Sequence, residues 1–590
     1  MCGIVGYLGF RRADEVIISS LKRLEYRGYD SWGVAIGNGK LSLVKKVGAI
    51  GDVEEYSIGD GTLGVGHTRW ATHGKPSESN AHPHTDCKNN IAVVHNGIIS
   101  NFQMLKEKLI EEGHEFKSET DTEVIPHLIE KYYKNSIEDA VINCIVNLRG
   151  SYAFVAMCAN ERKLVACRYK SPLILGVGDK EFFLASDVTA ILEYTSRIVY
   201  LQDGDIVILT DDGFKILNDC VEVDRQIELV PWGIKDAKKS GYDHFMIKEI
   251  HETPKVVEDT LSEYVSDEIE LDVSFAAGIS EILIIACGTS YHAGLIGKYV
   301  IEGLTGIPVR VEYASEFNYH PLLVGRPLAI AITQSGETAD TLEAMKKAKK
   351  FGARVVTITN VLGSTATRIA DHTLYIRAGP EICVAATKSF IAQLIVLYVL
   401  ALKLANLPRH EINELILELK LIPERIQRIL DAKDEIEKIA KRLAKFENMM
   451  YVGRGIGYPI ALEGALKMKE ISYIHAEGYP AGELKHGPFA LLGEKTPVIA
   501  SVIEDPTYEI MLNNIKEVKA RDSIVVAIAN EDDKEIDKYV DWVVKVPKTN
   551  PMFSPITQSV ALQILAYYTA KERGCEIDKP RHLAKSVTVE

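Results

Sequence analysis

Residues 1–6, Met1-Cys2-Gly3-Ile4-Val5-Gly6, combine a short apolar strand with a thiol directly behind the initiator methionine. If Met1 is removed, Cys2 carries a nucleophile and a free α-amine on one residue. That amine has a reference pKa of about 7.7–8.0, so part of it is uncharged near neutral pH and can accept the thiol proton. Gly3 and Gly6 would let this strand approach a ligand closely. The alternative is a small second residue that merely permits methionine removal.

Composition narrows the class of protein. The 590 residues, 46% hydrophobic and 25% charged, predict a globular chain of about three or four domains. The net charge of −14 argues against nucleic acid or an anionic membrane as a partner. Nine cysteines without a CxxC pair, and no secretory segment at the start, predict free thiols and a cytoplasmic location. The most apolar stretch, Phe390–Leu402, is too short to cross a bilayer and predicts a buried helix.

Short β-like runs dominate residues 1 to about 222, with few helical patterns between them. We therefore predict layered sheets covered by helices. The predicted helices are Ala13–Leu24 and Asn101–Glu112, and the predicted strands are Gly3–Leu8, Gly33–Ile36, Leu41–Val44, Ile91–Val94, Tyr152–Cys158, Leu164–Arg168, Leu173–Val177 and Ile206–Leu209.

Polar motifs lie in the predicted loops of this region. The segment Gly66–Gly74 contains Arg69, Trp70, Thr72 and His73. The planar guanidinium of Arg69 suits a carboxylate better than a lysine would. We predict that this turn-rich segment binds a substrate, although turns use such residues routinely.

Two further motifs come later in the same region. Asn96 and Gly97 come after the strand 91–94, and an Asn side chain beside a Gly backbone N–H could supply two donors to an oxyanion. Asp121 precedes a helix predicted to begin near Val124. Its carboxylate could accept from a ligand ammonium, or it could merely belong to an N-cap with an acidic first turn.

Together these groups fit glutamine: a thiol nucleophile, a guanidinium for its carboxylate, an acid for its ammonium and an oxyanion hole. In the order in which they occur, the motifs resemble those of the class II glutamine amidotransferases, which have the N-terminal-nucleophile hydrolase fold. The resemblance implies an α+β sandwich of αββα layers. It rests on Cys2–Gly6, Arg69–Gly74, His95–Gly97 and Asp121–Glu123.

Four histidines, His67, His73, His82 and His84, lie close together in the sequence. No Cys or acidic residue stands at ligand spacing with them, apart from residues 86 and 87 in a loop. We therefore predict no metal site among them.

From about residue 277 the pattern changes to strand, Gly/Ser loop and helix. The strand Glu281–Ala286 leads into a loop with Thr289 and Ser290, and the strand Leu328–Ile332 leads into the loop Thr333–Thr338. This predicts a doubly wound α/β domain with ligands beyond the carboxyl ends of the strands. A second copy begins with the strand Asn448–Val452, which indicates an internal duplication.

The two copies differ at one loop. Hydroxyls, backbone N–H groups and a helix N-terminus in 333–338 predict a phosphate site, with Thr333, Gln334, Ser335 and Thr338 as binding residues. Helix capping alone is the alternative. The corresponding segment Ser501–Pro506 carries acid, so we expect one phosphate site per chain.

These segments resemble the pair of sugar isomerase (SIS) domains of the glucosamine-6-phosphate synthase family. Further matches are Glu381–Ser389 (with Cys383 where Gly is usual), Ala461–His475, Gly482–Pro488 and Pro580–Glu590. The resemblance implies that glutamine is hydrolysed at Cys2 and that its ammonia converts fructose 6-phosphate to glucosamine 6-phosphate. It also implies a homodimer and no cofactor.

Glu463, Lys467 and Glu470 fall on one face of the predicted helix 461–474. A solvated salt-bridge stripe is the usual explanation for such a pattern. The apolar residues around it make Glu470 a candidate catalytic base. By the resemblance, Glu470 moves a proton between C1 and C2 of the sugar.

Three other roles rest only on the resemblance. His486 would open the sugar ring from a neighbouring subunit, Lys585 would form a Schiff base with the ketone, and Trp70 would gate ammonia. Their ordinary explanations are a histidine at a helix C-terminus, a solvated tail lysine and a half-buried indole.

We predict an amidotransferase domain over 1–222, a linker and first SIS domain over 223–420, and a second SIS domain with a catalytic tail over 421–590. Two alternatives stay open: an amidotransferase or deaminase acting on another keto-sugar phosphate, and a sugar-phosphate sensor without chemistry. The joint presence of Glu470, His486 and Lys585 speaks against the sensor.

Overall fold

The computed structural model describes residues 2–51, 57–70, 74–230, 239–323 and 325–588. The chain divides into two units. The first comprises Met1–Ala237 together with Ala584–Glu590, and the second comprises Lys238–Leu583.

Two antiparallel sheets form the centre of the first unit. Its strands are β1 Gly3–Leu8, β2 Ser31–Gly37, β3 Leu41–Val47, β4 Leu63–Arg69, β5 His84–Thr85, β6 Ile91–Ile99, β7 Gly150–Cys158, β8 Leu164–Tyr169, β9 Ile174–Val177, β10 Phe182–Ala185, β11 Arg197–Tyr200, β12 Ile206–Thr210, β13 Gly213–Asn218, β14 Val221–Glu222 and β15 Ile227–Leu229. The eight-stranded sheet has the order β15-β11-β9-β10-β1-β4-β2-β3, and the seven-stranded sheet has the order β14-β13-β12-β8-β7-β6-β5.

The helices of this unit are α1 Ala13–Leu24, α2 Phe102–Glu111, α3 Val124–Tyr132 and α4 Ile137–Ile145. Strand β1 shows how the layers form, because its side chains alternate between two cores. Ile4 and Leu8 pack between the sheets, whereas Val5 and Tyr7 pack in the cluster that contains α1. Helices α2, α3 and α4 cover the outer face of the second sheet. The unit therefore has four layers in the order αββα.

Strand β4 was not predicted, because we assigned its end to a loop. Gly64 and Gly66 have low strand propensity and hide the alternation of β4 in the sequence. They are needed because α1 packs closely against them: a Cβ on Gly66 would lie 2.3 Å from Ile17 Cγ2. The prediction that Asn96 and Gly97 come after a strand was also wrong, since β6 continues through them to Ile99.

The second unit contains two parallel five-stranded sheets. Its elements are α5 Phe245–Tyr264, β16 Glu281–Ala286, α6 Gly288–Thr305, β17 Val309–Tyr313, α7 Ala314–Phe317, β18 Pro327–Ile332, α8 Ala339–Lys350, β19 Arg354–Thr359, α9 Thr365–Ile369, β20 His372–Tyr375, α10 Lys388–Leu404, α11 Arg409–Lys420, α12 Ile422–Asp431, α13 Lys433–Leu443, β21 Asn448–Gly453, α14 Gly457–Ser472, β22 His475–Pro480, β23 Val498–Ser501, α15 Tyr508–Lys519, β24 Val525–Asn530, β25 Trp542–Val546 and α16 Ser554–Glu572.

The two sheets have equivalent strand orders, β17-β16-β18-β19-β20 and β22-β21-β23-β24-β25. In each sheet the direction of the strand order reverses at the second strand, β16 or β21. Doubly wound sheets bind ligands in the crevice beyond the carboxyl ends of the strands at such a reversal. The predicted duplication is therefore present in the fold.

Helix α10 contains the apolar stretch Phe390–Leu402 and is buried, as predicted. Across the described ranges, none of the helices combines the length and the apolar character that a bilayer span requires.

The predicted domain boundaries differ in two places from the units of the structure. Strand β15 lies beyond residue 222 and pairs with β11 of the first sheet. The segment Ala584–Glu590, which we assigned to the last domain, groups with the first unit. The chain just before it belongs to the second unit, where Asp578 accepts hydrogen bonds from the N–H groups of Phe245 and Met246 at the start of α5.

Candidate active sites

Cys2 lies at the start of the central strand β1 of the eight-stranded sheet. Its half-buried Sγ accepts a hydrogen bond from the backbone N–H of Trp70 at 3.2 Å. Trp70 comes directly after β4, and β4 pairs with β1 through Thr68 and Gly3. The sheet therefore places the thiol beside the segment that was predicted to bind a substrate.

Asn96 reaches Cys2 from the other sheet. Its Nδ2 donates to the Cys2 carbonyl at 2.9 Å, and its Oδ1 lies 3.0 Å from Nε2 of His67. The same Nε2 lies 3.0 Å from the carbonyl of His95, so it faces two acceptors and must carry the proton. Burial lowers the pKa of His67 from 6.5 to about 3, which keeps the ring neutral. His67 thus fixes the orientation of the Asn96 side-chain amide. We did not predict this role, although His67 lies in the same predicted substrate-binding segment as Arg69.

Gly97 occupies a position that no other residue could take. Its φ of 126° lies in the region that favours glycine, and a Cβ there would be 2.0 Å from the carbonyl oxygen of Ser151. The predicted donor pair, the Asn96 amide and the Gly97 backbone, is therefore held on a rigid strand.

Arg69 and Asp121 are both buried near this site. Burial lowers the pKa of Arg69, while the nearby Cys2 thiol and the Asp30 and Asp121 carboxylates oppose that shift. Asp121 Oδ2 accepts from the N–H of Ile99 at 2.8 Å. Glu123, not Asp121, stands at the N-cap of α3, which argues against simple helix capping as the role of Asp121. Thr72 and His73 lie outside the described residues.

Three of the four clustered histidines form a packed, buried group. The rings of His67 and His82 stack with centroids 4.1 Å apart, and His82 meets His84 edge-on. Burial lowers the pKa of His82 and of His84 well below 6.5. These side chains therefore serve as neutral core residues.

In the second unit, the loop 333–338 joins β18 to α8 at the carboxyl edge of the first parallel sheet. Gly336 has a φ of 68°, and its N–H donates to Thr333 Oγ1 at 3.2 Å. The hydroxyl of Thr338 lies 3.3 Å from that of Thr333 and makes no cap hydrogen bond, although Thr338 is the N-cap residue of α8. Capping alone therefore does not account for Thr338. Ser335 and Gln334 are half-exposed on the same loop.

Thr289 and Ser290 come after the adjacent strand β16 and begin α6. Because β16 and β18 are neighbours, their loops meet at the topological switch point. Ser290 Oγ accepts from Gln393 Nε2 at 3.1 Å. The predicted sugar-phosphate residues are thus brought to one crevice.

A charged network connects the two parallel-sheet domains at α6 and α14. Glu463 accepts from Thr289 Oγ1 at 3.2 Å and lies 2.7 Å from His292 Nδ1, and Lys467 Nζ donates to Thr289 Oγ1 at 3.0 Å. Lys467 also lies 2.6 Å from Glu470. We did not predict this role for Glu463 or His292, although His292 stands one helical turn after Thr289.

The expected alternative of a solvated stripe on α14 is wrong for Glu463 and Lys467, whose side chains are about 2% and 1% exposed. Burial acts to lower the pKa of Lys467, but the carboxylates of Glu470 and Glu463 more than offset it, so the pKa is raised and the amine stays charged. Glu470 itself is 20% exposed and can reach a ligand.

His486 is exposed and ends the short helix Ala481–His486. Lys585 is half-buried in the segment that belongs to the first unit. The structure describes these two residues in different units, and their proposed meeting at a sugar stays a prediction.

Comparison with protein families supports an amidotransferase region followed by two similar domains. The glutamine amidotransferase domain family matches residues 67–193, and the SIS domain family matches residues 277–403 and 442–573.

Curated relatives match over the whole length. The glutamine–fructose-6-phosphate aminotransferase [isomerizing] of Caldanaerobacter subterraneus subsp. tengcongensis is 48% identical, and that of Methanosarcina mazei is 49% identical, each with 100% of both chains covered. Among solved structures, the C-terminal domain of the glucosamine-fructose-6-phosphate aminotransferase from Francisella tularensis matches with 38% identity and a TM-score of 0.56. That match covers 58% of this chain and 99% of the other.

Proposed function

The chain belongs to the family of glutamine–fructose-6-phosphate aminotransferases [isomerizing], and from this premise we propose how its residues divide the work. The reaction converts glutamine and fructose 6-phosphate to glutamate and glucosamine 6-phosphate. The full-length identity favours this activity over a deaminase or a sensor without chemistry.

The first unit hydrolyses glutamine, and its four αββα layers are those of an N-terminal-nucleophile hydrolase. Once Met1 is removed, the proton of the Cys2 thiol passes to the free α-amine of the same residue, and Sγ attacks the side-chain carboxamide carbon. The carboxamide nitrogen takes a proton and leaves as ammonia. Water then cleaves the glutamyl thioester, which releases glutamate and restores the thiol.

The tetrahedral intermediate of this step carries an oxyanion, and preformed donors stabilise such a charge. The Asn96 amide and the Gly97 backbone N–H provide those donors. The contact of Asn96 with Cys2, across 94 positions of sequence, is the observation that carries this assignment.

Glutamine recognition needs one cation and one anion for its α-carboxylate and α-ammonium. Arg69 binds the carboxylate as a planar fork, and Asp121 accepts from the ammonium. Glutamine binding is assigned to Thr72 and His73 from their sequence motif alone, and Trp70 separates the ammonia from solvent on its way to the sugar.

The second unit binds fructose 6-phosphate at the switch point of its first sheet. Thr333, Gln334, Ser335 and Thr338 hold the phosphate at the N-terminus of α8. Thr289 and Ser290 contact the sugar from the adjacent loop. The matching loop of the second copy holds Asp505, whose negative charge repels an anion. The Asp505 carboxylate is held there by a hydrogen bond from the N–H of Thr507 at 2.7 Å.

Three groups perform the sugar chemistry. His486 transfers the proton that opens the ring, and it is supplied by the partner subunit of a homodimer. The Lys585 amine condenses with the C2 ketone with loss of water, and ammonia then replaces it. Glu470 moves a proton from C1 to C2, which gives the aldose.

No cofactor and no nucleic acid enters this scheme, and the lack of a disulfide among the nine cysteines, all of which the structure describes, supports a cytoplasmic location. The direct test is product identification from glutamine plus fructose 6-phosphate. Equal amounts of glutamate and glucosamine 6-phosphate are expected. Glutamate without an amino sugar would refute the assignment of the second unit.

A further inference from the structure

A cluster of metal-ligating side chains lies in the first unit, among residues to which the proposed reaction gives no role. It consists of Cys87, His114, His127 and Glu130, and one ligand atom from each lies within 4.8 Å of all the others. We propose that these residues form a four-coordinate site for a divalent transition metal, Zn²⁺ being the ion that suits the donors best.

Three separate segments supply the ligands. Cys87 lies just after β5, and His114 lies just after α2, while His127 and Glu130 lie three residues apart on one face of α3. His127 is buried and the other three are half-buried. Thiolate, imidazole and carboxylate groups are all ligands of Zn²⁺, and an ion held by four of them would tie these three segments together.

Four of the six distances between donor atoms are close to those of a tetrahedron. With Zn–S near 2.3 Å and Zn–N near 2.0–2.1 Å, tetrahedral ligands stand roughly 3.3–3.6 Å from one another. Cys87 Sγ lies 3.7 Å from His114 Nδ1 and 3.6 Å from His127 Nδ1. Glu130 Oε2 lies 3.0 Å from His114 Nδ1 and 3.5 Å from His127 Nδ1. The remaining two pairs, thiol to carboxylate and imidazole to imidazole, lie within 4.8 Å, and a bound ion would draw them closer together.

The donor types also select the ion. A thiolate with two imidazoles disfavours Mg²⁺ and Ca²⁺, which prefer oxygen ligands, and favours Zn²⁺. This set was not predicted, because we considered only the histidines at 67–84, and the two that approach Cys87 come from later segments.

A hydrogen-bond network without metal is the competing explanation. Glu130 Oε2 also accepts from the Cys87 N–H at 3.2 Å, which would hold the carboxylate here with no ion. The two explanations differ in what the thiol does: as a metal ligand it is a thiolate bonded to the ion, and in the network it is an ordinary thiol.

The site would fix the segment that carries Asp121. His114 lies at the start of this segment and His127 lies on the helix after it, while Glu123 bonds the backbone N–H groups of Lys117 and Ser118 between them at 2.8 and 2.7 Å. A bound ion would therefore raise the stability of the first unit and keep the Asp121 carboxylate in place.

The test uses the full-length protein, first as purified from zinc-supplemented cells and then after chelation. We expect about one zinc per wild-type chain. Chelation should lower the unfolding temperature, and added Zn²⁺ should restore it.

Co²⁺ in place of Zn²⁺ should give a thiolate-to-metal charge-transfer absorption. Cys87→Ser should lose that absorption, and His114→Gln should lower the metal affinity at least tenfold.

Matched controls are Cys220→Ser and His475→Gln, which change an exposed thiol and an exposed imidazole elsewhere. Both should keep the zinc content and the chelation effect. If Cys87→Ser does not fold, His114→Gln still decides the matter, because its side chain lies on a loop. Equal metal affinity in wild type and His114→Gln, or Co²⁺ binding without a thiolate band, would overturn the proposal.

Discussion

His67 Nε2 lies 3.0 Å from Asn96 Oδ1, and this contact determines which end of the Asn96 amide faces Cys2. Because the imidazole N–H takes the carbonyl end, the NH₂ end is left to donate to the Cys2 carbonyl. An amide turned the other way would present an acceptor to a developing oxyanion and would repel it. We infer that His67 is a positioning residue for glutamine hydrolysis.

This inference predicts a coupled pair of variants. Asn96→Ala should lower kcat of glutamine hydrolysis by about 10²–10³, the usual effect of removing one oxyanion donor. His67→Phe should lower kcat by a smaller factor with little change in KM for glutamine. The double variant should be no slower than Asn96→Ala, because His67 acts through that amide. Steady-state glutaminase assays measure all three, and additive losses would contradict the inference.

The buried histidines predict how stability depends on pH. Burial lowers the pKa of His67, His82, His84 and His95 in the folded state, whereas the unfolded chain has the ordinary value of 6.5. Below pH 6.5 the unfolded state thus binds more protons, and stability falls as the pH drops, by up to about 1.4 kcal/mol per pH unit for each histidine.

Urea unfolding between about pH 7 and pH 5 measures this slope. His82→Gln should reduce it by about one proton, and the exposed control His475→Gln should leave it unchanged. An unchanged slope in His82→Gln would exclude this histidine as a source of the acid sensitivity.

The proposed phosphate site in the loop 333–338 can be tested against the equivalent position in the second copy. Thr338 and Thr507 are the N-cap residues of α8 and α15, the equivalent helices of the two copies. Thr338→Ala and Ser335→Ala should each weaken fructose 6-phosphate binding by about 1–3 kcal/mol, the cost of a lost hydrogen bond to a charged group. Thr507→Ala should have no effect. Calorimetry measures all three, and wild-type binding of fructose as tight as that of its phosphate would refute a phosphate site.

The buried charges of α14 predict that substitutions of two lysines, one buried and one exposed, lower the stability of the protein by very different amounts. Lys467→Met leaves Glu463 and Glu470 without their cation in a buried setting and should cost about 3–5 kcal/mol of unfolding free energy. Lys441→Met removes an exposed pair with Glu437, 2.8 Å apart, and should leave the urea midpoint almost unchanged. Equal urea midpoints for the two variants would show that the network on α14 adds no stability.

Lys585→Met separates the two half-reactions. The variant should fold and hydrolyse glutamine at Cys2 but form no glucosamine 6-phosphate, since only an amine can condense with the ketone. Borohydride added with fructose 6-phosphate should trap an adduct on Lys585 of the wild type. Lys534→Met, at an exposed position of the second unit, is the control and should keep full activity. Synthase activity in Lys585→Met would remove Lys585 from the mechanism.

Elements with a regular apolar pattern were the most readily predicted from the sequence. Strands β1 and β16 and helix α1 have the predicted bounds because apolar periodicity ends there at turn residues. Strand β4 escaped prediction because two of its core positions are glycines, which carry no hydrophobic signal.

The site was predictable as a set of residue types but not as a set of contacts. The predictions named Cys2, Asn96 and Thr289, each from a local motif. They did not include His67, His292 or the cluster around Cys87, because those contacts join segments that are distant in the sequence. A periodic pattern reports which face of an element is buried, and it carries no information about which distant side chain lies opposite.

The position of β1 has a consequence for biosynthesis. Val5 pairs with Gly66 of β4 on one side and with Ala185 of β10 on the other. The ribosome adds about 5–20 residues per second, so Ala185 appears roughly 10–40 s after Cys2. During that interval the nascent chain carries its reactive thiol without the strands that will surround it. The neighbours of β1 are thus complete only after nearly a third of the chain exists, and shorter fragments have the cysteine without the sheet around it.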